Sequence, residues 1–425
     1  MTLVVFVGSL LSAMAIGVPI AFSLMFCGVV LMWYMGIFNT QIIAQNMIAG
    51  VDSFTLLAIP FFVLAGELMN SGGLSRRIID FAIACVGHIR GGLGVVAILA
   101  AIIMASVSGS AAADTAALAT ILVPMMAKAG YNIPRSAGLM AAGGIIAPII
   151  PPSMAMIVFG VAANVSITQL FMAGIVPGLM MGVALLITWQ MVVRKDNLKV
   201  LPKRSGKERL HATGRALWAL GMPAIILGGI RMGVMTPTEA AVVAAAYALF
   251  VGMVIYRELK FADLYGVFLQ AAKITSAIMF LVASALVSSW LITAANIPAE
   301  VSSYITPLID NPKLLMFAIM ILVLIVGTAL DLTPTILILT PVLMPIIKQA
   351  GIDPAYFGVL FIMNTCIGLI TPPVGVVLNV VSGVSKVPLG KVVTGISPFL
   401  LSQVLVLLLL VLFPNLVLVP MHWLH

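Results

Sequence analysis

The chain has 425 residues, 62% of them hydrophobic and 8% charged. Soluble globular domains carry about 25% charged residues, so a soluble fold is excluded, and apolar runs long enough to cross a bilayer recur along the whole length. The net charge is +8, but eight of the 21 Lys and Arg residues lie between Arg194 and Arg215, flanked by apolar runs, which marks a cytoplasmic loop of a membrane protein and not a nucleic-acid surface.

The apolar runs are long Leu/Ile/Val/Met/Ala blocks without the short alternating strands of a barrel. They predict an all-α polytopic membrane protein. The first block, 3–35, is too long for one upright helix and is expected to tilt or break near Gly17-Val18-Pro19. The first basic residue is Arg76, so this block is expected to be a retained span and not a cleaved signal. A second span is predicted at 54–72, where Glu67 either snorkels or pairs with an Arg. Residues 74–90 mix Arg76, Arg77, Asp80, His88 and Arg90 with apolar residues, the pattern of an interfacial helix.

Residues 93–127 are interrupted by "SVSGSAAADT" and predict a re-entrant hairpin, two half-helices entering and leaving on one side. Spans follow at 135–163, broken by "GIIAPIIPPS", and at 168–193. Beyond the basic loop 194–215 comes a linking span, 216–233. The span 237–256 opens with "TPTEAAVVAAAYAL", where Thr236 or Thr238 can cap the helix, Pro237 suits the first turn and Glu239 suits its positive end. A further span, 267–295, leads to an amphipathic stretch at 297–311. A second hairpin is predicted at 313–349, interrupted by "GTALDLTPT". The last spans are 354–383, broken by "GLITPPVG", and 392–413.

A shift of 221 residues superposes Leu122 on Leu343, Pro124 on Pro345, Gly130 on Gly351, Pro151-Pro152 on Pro372-Pro373, and Gly174 on Gly395. The chain therefore reads as two repeats, 1–193 and 234–425. An odd number of crossings separates equivalent points, so the halves are expected to be inverted in the membrane. With the basic loop inside, the first hairpin opens to the cytoplasm and the second to the other side. The N-terminus then falls inside and the C-terminus outside.

Paired prolines remove backbone donors and unwind a helix. In hydrocarbon such backbone survives only inside protein or beside a water-filled cavity, and the freed carbonyls are hard ligands for an alkali cation. The alternative is a kink that only shapes packing. At the tips, Ser106, Ser108, Gly109 and Ser110 precede Asp114-Thr115 in the first hairpin, and Gly327, Thr328, Asp331 and Thr333 sit in the second. Small residues allow close backbone approach. Asp114 and Asp331 are each either N-caps or functional intramembrane acids. The substrate candidates are Ser110, Asp114, Thr115, Ser153, Asp331 and Thr333. Arg135 and Lys128 could hold a carboxylate and equally suit an interface.

Cys27, Cys85 and Cys366 are scattered and suggest neither a disulfide pair nor a metal cluster. The sequence lacks a P-loop and an H-E-x-x-H motif, and the four histidines do not cluster. An enzyme is not expected.

"GSAAADTAALATILVPMM", "GGIIAPIIPPS", "MTPTEAAVVAAAYAL", "LDLTPTILILTPVLMPI" and "IGLITPPVGVVLNV" resemble the large permease subunit of tripartite ATP-independent periplasmic (TRAP) transporters, and the likeness covers essentially the whole chain. The resemblance implies an elevator-type, Na⁺-coupled importer of a small organic acid, a sugar acid or dicarboxylate, in a bacterial inner membrane. It implies two partners, a small four-helix membrane subunit and a periplasmic solute-binding protein. It places one Na⁺ site at Ser106 or Ser108, Gly144, Ala147 and Pro148, and another at Gly327, Gly368, Thr371 and Val374. Some relatives have Gly where this chain has Ala147. The rival readings are a proton-coupled carrier relayed by Asp114 or Asp331, and a channel or scaffold subunit.

Overall fold

A computed structural model describes residues 1–194, 196, 198, 200–301 and 311–424. Among the described residues all regular structure is helical, and nine helical segments are long and apolar enough to cross a membrane. The expected break in the first block is present, with α1 (Thr2–Ala15) and α2 (Ile20–Tyr34) separated at Gly17–Pro19. Next come α3 (Thr40–Val51), a short 3₁₀ turn (Phe54–Leu57), α4 (Ala58–Ser71) and α5 (Leu74–Val86). The amphipathic α5 buries Leu74, Ile78, Ile79 and Ala82, while Arg76 and Asp80 stay exposed.

Two helical hairpins stand where the sequence interrupts its apolar runs. The first joins α6 (Gly92–Ser108) to α7 (Ala111–Lys128). A broken pass follows, α8 (Ile133–Gly144) and α9 (Met154–Ala163), then α10 (Ile167–Val193). Four helices continue the chain: α11 (Gly206–Arg231), α12 (Pro237–Phe250) running into a π-turn (Val251–Ile255), and α13 (Phe261–Ala294) before the second hairpin opens with α14 (Pro312–Ala329). Its other arm is α15 (Leu332–Gln349), followed by the broken pass α16 (Pro354–Gly368) and α17 (Val376–Ser385), then α18 (Leu389–Leu412) and α19 (Asn415–Leu424).

Local chemistry sets these boundaries. Asn132 and Asp353, 221 residues apart, are the N-caps of α8 and α16, and each side chain accepts hydrogen bonds from the first turn. Gly130 and Gly351 end α7 and α15 with φ of +83° and +67°. Both helices then close alike: Tyr131 N–H reaches Met126 O, and Ile352 N–H reaches Ile347 O. Only glycine holds that left-handed cap cheaply. Thr236 is the cap of α12, in a reciprocal box with Glu239 behind Pro237; Thr238 instead donates to Phe54 O.

The structure corrects several boundaries. Helix α11 starts at Gly206, inside the stretch read as a basic loop to 215, because Ser205 and Glu208 form a capping box there. The short α3 and α19 were not predicted. The amphipathic stretch at 297–311 lies largely outside the described residues, as do Lys195 and Lys199 of the loop.

The helices form two packing neighbourhoods, joined where α5 packs on α6 and α13 on α15. Helices α1–α4 and α13 pack on one another, with α12 against α4 and α11 against α5. The hairpins and broken passes form the other group: α7 packs on α17 of the opposite repeat, and α15 on α9. The spans α10 and α18 belong with this group, since α18 packs on α8 and α10 on both α18 and α16. Small residues explain it. A Cβ on Gly138 of α8 would stand 2.7 Å from Ile396 N and 2.8 Å from Gly395 C of α18, so the two backbones touch.

Gly138→Leu is expected to force α8 from α18, an overpacking cost of about 1–3 kcal/mol. It is checked as a drop in the melting temperature of the purified chain in detergent. Gly228→Ala, where a Cβ meets nothing within 4 Å, is expected to leave melting unchanged or raise it slightly.

Candidate functional site: two hairpin tips on two helix breaks

Each arm of 17 or 18 residues spans about 26–27 Å as a helix, so length alone does not make the hairpins re-entrant. The position of their tips does. Gly109, at φ +60° between α6 and α7, sits against the break between α8 and α9. A Cβ there would meet Met154 N at 3.3 Å and Pro152 O at 3.4 Å. The tip thus reaches the middle of a pass that runs from Ile133 to Ala163. In the second half Gly327 abuts Gly368 and Thr365, and Gly375 N–H reaches Thr328 O at 3.4 Å. Both paired prolines, Pro151-Pro152 and Pro372-Pro373, carry a cis bond in these breaks.

The first junction is closed and polar. Ser110 is the N-cap of α7 and accepts from Ala113 N–H. Ser108 Oγ donates to Asp114 Oδ1 and accepts from Ser110 N–H at 3.2 Å. Asp114 is 2% exposed and Thr115 fully buried, and Asp114 Oδ2 and Thr115 Oγ1 have no protein partner among the described residues. Thr115 lies on Gly144, where any Cβ would overlap its hydroxyl. Ser106 is buried, with its hydroxyl turned back onto Ile103 O at 2.6 Å. Ala147 N–H donates to Gly144 O at 3.1 Å. The break itself, 145–153, is buried throughout. Ser153 bridges it: its hydroxyl donates to Pro148 O at 2.6 Å and accepts from Met156 N–H. The Pro148 carbonyl is therefore partly engaged, and Ser153 is a cap of α9 before it is anything else.

The second junction uses similar backbone and different side chains. Thr371 N–H donates to Gly368 O at 2.9 Å, and its hydroxyl to Ile367 O at 2.7 Å. Asn379 Nδ2 donates to Val374 O at 3.2 Å. Unlike its counterpart, this break is open: Pro372, Pro373 and Val374 are exposed. Asp331 is also exposed and caps α15, its carboxylate accepting from Leu332 N–H at 2.8 Å. Thr333, the second residue of the helix, is half-buried.

The two tip aspartates are therefore not equivalent. Under the 221-residue shift Asp331 falls on Ser110, both N-caps, and Asp114 falls on Thr335. The capping alternative holds for Asp331 and fails for Asp114. Arg135 does not face either tip; it pairs with Asp196 at 2.7 Å near the start of α8. Sequence reading missed Asn364. It is 1% exposed, one turn before the second break, donates to Met320 O of α14, and leaves its Oδ1 without a protein partner. An amide in so apolar a run, "LFIMNTCIG", was the available signal.

Chemically, each junction gathers carbonyl and hydroxyl oxygens around unwound backbone, with a buried carboxylate, Asp114, at the first and an exposed one, Asp331, at the second. Among the described residues no cluster of His, Cys, Asp and Glu could hold a transition metal. Hard oxygens of this kind suit an alkali cation or a proton.

Gly144→Ala is expected to destabilise the chain, because the new Cβ meets Thr115 Oγ1 and lies 2.9 Å from Ala111 O. Adding Thr115→Ala removes the hydroxyl and is expected to recover at least about 0.5 kcal/mol in a double-mutant cycle. Additive melting shifts would contradict the contact.

The chain matches the family described as tripartite ATP-independent periplasmic transporter, DctM component, over residues 7–416. It is 56% identical over 425 residues to the 2,3-diketo-L-gulonate TRAP transporter large permease protein YiaN of Escherichia coli (strain K12), covering 100% of both chains. It is 39% identical over 386 residues to the C4-dicarboxylate TRAP transporter large permease protein DctM of Pseudomonas aeruginosa, covering 91% of this chain and 90% of that one. The crystal structure of the Alcanivorax borkumensis YdaH transporter is similar in fold, with a TM-score of 0.64 at 15% identity over 87% of this chain and 86% of the other. With its helical hairpins, broken passes and near-complete match, the chain belongs to the DctM family, the large membrane permeases of TRAP transporters.

Proposed function

We propose that this permease imports a small organic acid coupled to Na⁺, with the two tip–break junctions as ion sites. The observation that carries the proposal is the pair of glycine-lined contacts that bring each hairpin tip onto unwound backbone. The first Na⁺ site would take oxygens from Ser106 or Ser108, Gly144, Ala147 and Pro148. The second would take them from Gly327, Gly368, Thr371 and Val374. Each Na⁺ moving inward down a membrane potential gains about 2.3 kcal/mol per 100 mV, which is enough to drive accumulation.

Two relatives are named for 2,3-diketo-L-gulonate and for C4-dicarboxylates. Both substrates are carboxylic acids, so we place this chain's substrate in the sugar-acid or dicarboxylate class. Its candidate contacts would be Ser110, Asp114, Thr115, Ser153, Asp331 and Thr333 at the two tips and the first break. The hairpin group would move as a unit against α1–α4 and α11–α13, an elevator motion. The surfaces that would slide are those where α5 packs on α6 and α13 on α15. A small membrane subunit would brace the outer group, and a periplasmic binding protein would deliver substrate. The basic stretch after α10 would face the cytoplasm.

One observation favours a second reading. Asp114 is buried with one oxygen unpartnered, so a proton could take the place of one Na⁺.

The test is uptake into vesicles containing this chain with its small subunit and binding protein, at fixed pH. Replacing Na⁺ by choline is expected to lower the initial rate at least tenfold. Undiminished uptake would overturn Na⁺ coupling, and its loss in Asp114→Asn would then favour the proton. Flux that neither saturates nor accumulates substrate uphill would indicate a channel.

A further inference from the structure

A cluster of charged side chains lies apart from the junctions. Helix α5, the first turns of α11 and the residues after the π-turn enclose a cavity of about 450 Å³. Arg76, Arg77, Arg204 and Arg215 line it, with His211 and three carboxylates, Asp80, Glu208 and Glu258. A groove of about 780 Å³ continues from it, sharing Arg77, His211 and Arg215 and walled by Leu210, Trp218 and Ile255. The cavity is thus charged at one end and apolar at the other.

Its frame is fixed. The Arg77 guanidinium lies 3.8 Å over the Tyr256 ring and pairs with Glu258 at 2.8 Å. Tyr256 in turn donates to Arg215 O at 2.6 Å, tying α5 and α11 together. Glu208 is held by Ser205 N–H at the start of α11. That leaves Arg76, Arg204 and Arg215 with no carboxylate within 4.0 Å among the described residues. Helix α11 is apolar enough to cross a membrane, and this cavity sits at the beginning of it. Leu210 and Trp218 are exposed on the same helix, where acyl chains would run.

We infer that this cavity binds the phosphate headgroup of an anionic phospholipid, with an acyl chain along Leu210 and Trp218. Guanidinium groups form forked, charge-assisted hydrogen bonds with phosphate oxygens, and basic pockets between membrane helices suit anionic headgroups. The inference requires only that α11 enters the bilayer here. It needs neither Na⁺ coupling nor a particular substrate.

The test uses the full-length chain in phosphatidylcholine nanodiscs doped with brominated phosphatidylglycerol or, in parallel, brominated phosphatidylcholine. Bromine quenches nearby indole, and the Trp218→Phe variant isolates the signal of that residue. Trp218 is expected to be quenched with a preference of roughly fivefold or more for phosphatidylglycerol. The combined Arg76→Gln, Arg204→Gln and Arg215→Gln variant is expected to lose the preference, and the matching Lys variant to keep most of it. Arg204→Gln alone, at an exposed position, gives a partial loss without risk to folding. Equal quenching by the two lipids overturns the inference. So does reversal by inorganic phosphate, which would mark a site for free anions, or an equal loss in Lys391→Gln, a position outside the cavity.

Discussion

The structure depends on the docking of a hairpin tip onto a helix break, made twice. An unwound segment inside a bilayer exposes carbonyl and amide groups that hydrocarbon cannot satisfy. Here Gly109 closes on Pro152–Met154, and Gly327 and Thr328 close on Gly368 and Gly375. The tips come this near only because glycine leaves room for backbone on both sides. The second arms then cross to the opposite repeat, α7 onto α17 and α15 onto α9. Neither half of the hairpin group is therefore complete without the other.

The two junctions share a backbone plan and differ in side chains. The first is sealed, with Asp114 and Thr115 buried beneath Gly144 and Ser153 spanning the break. The second is open at Pro372–Val374, and its acid is an exposed cap. The first junction buries its carboxylate, Asp114, whereas the second presents Asp331 at the surface as a helix cap, so the two are chemically unequal.

The fold was legible where the sequence is punctuated. Gly17-Val18-Pro19, "SVSGSAAADT", "GTALDLTPT" and the two paired prolines mark the break in the first block, both hairpin tips and both broken passes. These residues act locally, through caps, missing donors and positive φ, and local rules read them well. Repeat-wide matches such as Asn132 with Asp353 follow from the same chemistry. What escaped was set by packing at a distance. Whether α10 and α18 join the hairpin group depends on Gly138 meeting Gly395 across more than 250 residues. Asp114 and Asp331 look alike as single intramembrane acids; the 221-residue register already sets Asp331 on Ser110, and the caps give the reason. The start of α11 was misplaced because the density of charge outweighed the Ser205–Glu208 box that begins it.

The most direct test is a pair of high-resolution density maps of the chain, one in NaCl and one in choline chloride. The account predicts broken helices at 145–153 and 369–375 with both tips docked, and in NaCl a compact density ringed by main-chain oxygens at each junction. Continuous helices through Pro151 and Pro372, or tips standing away from both breaks in either salt, would contradict it.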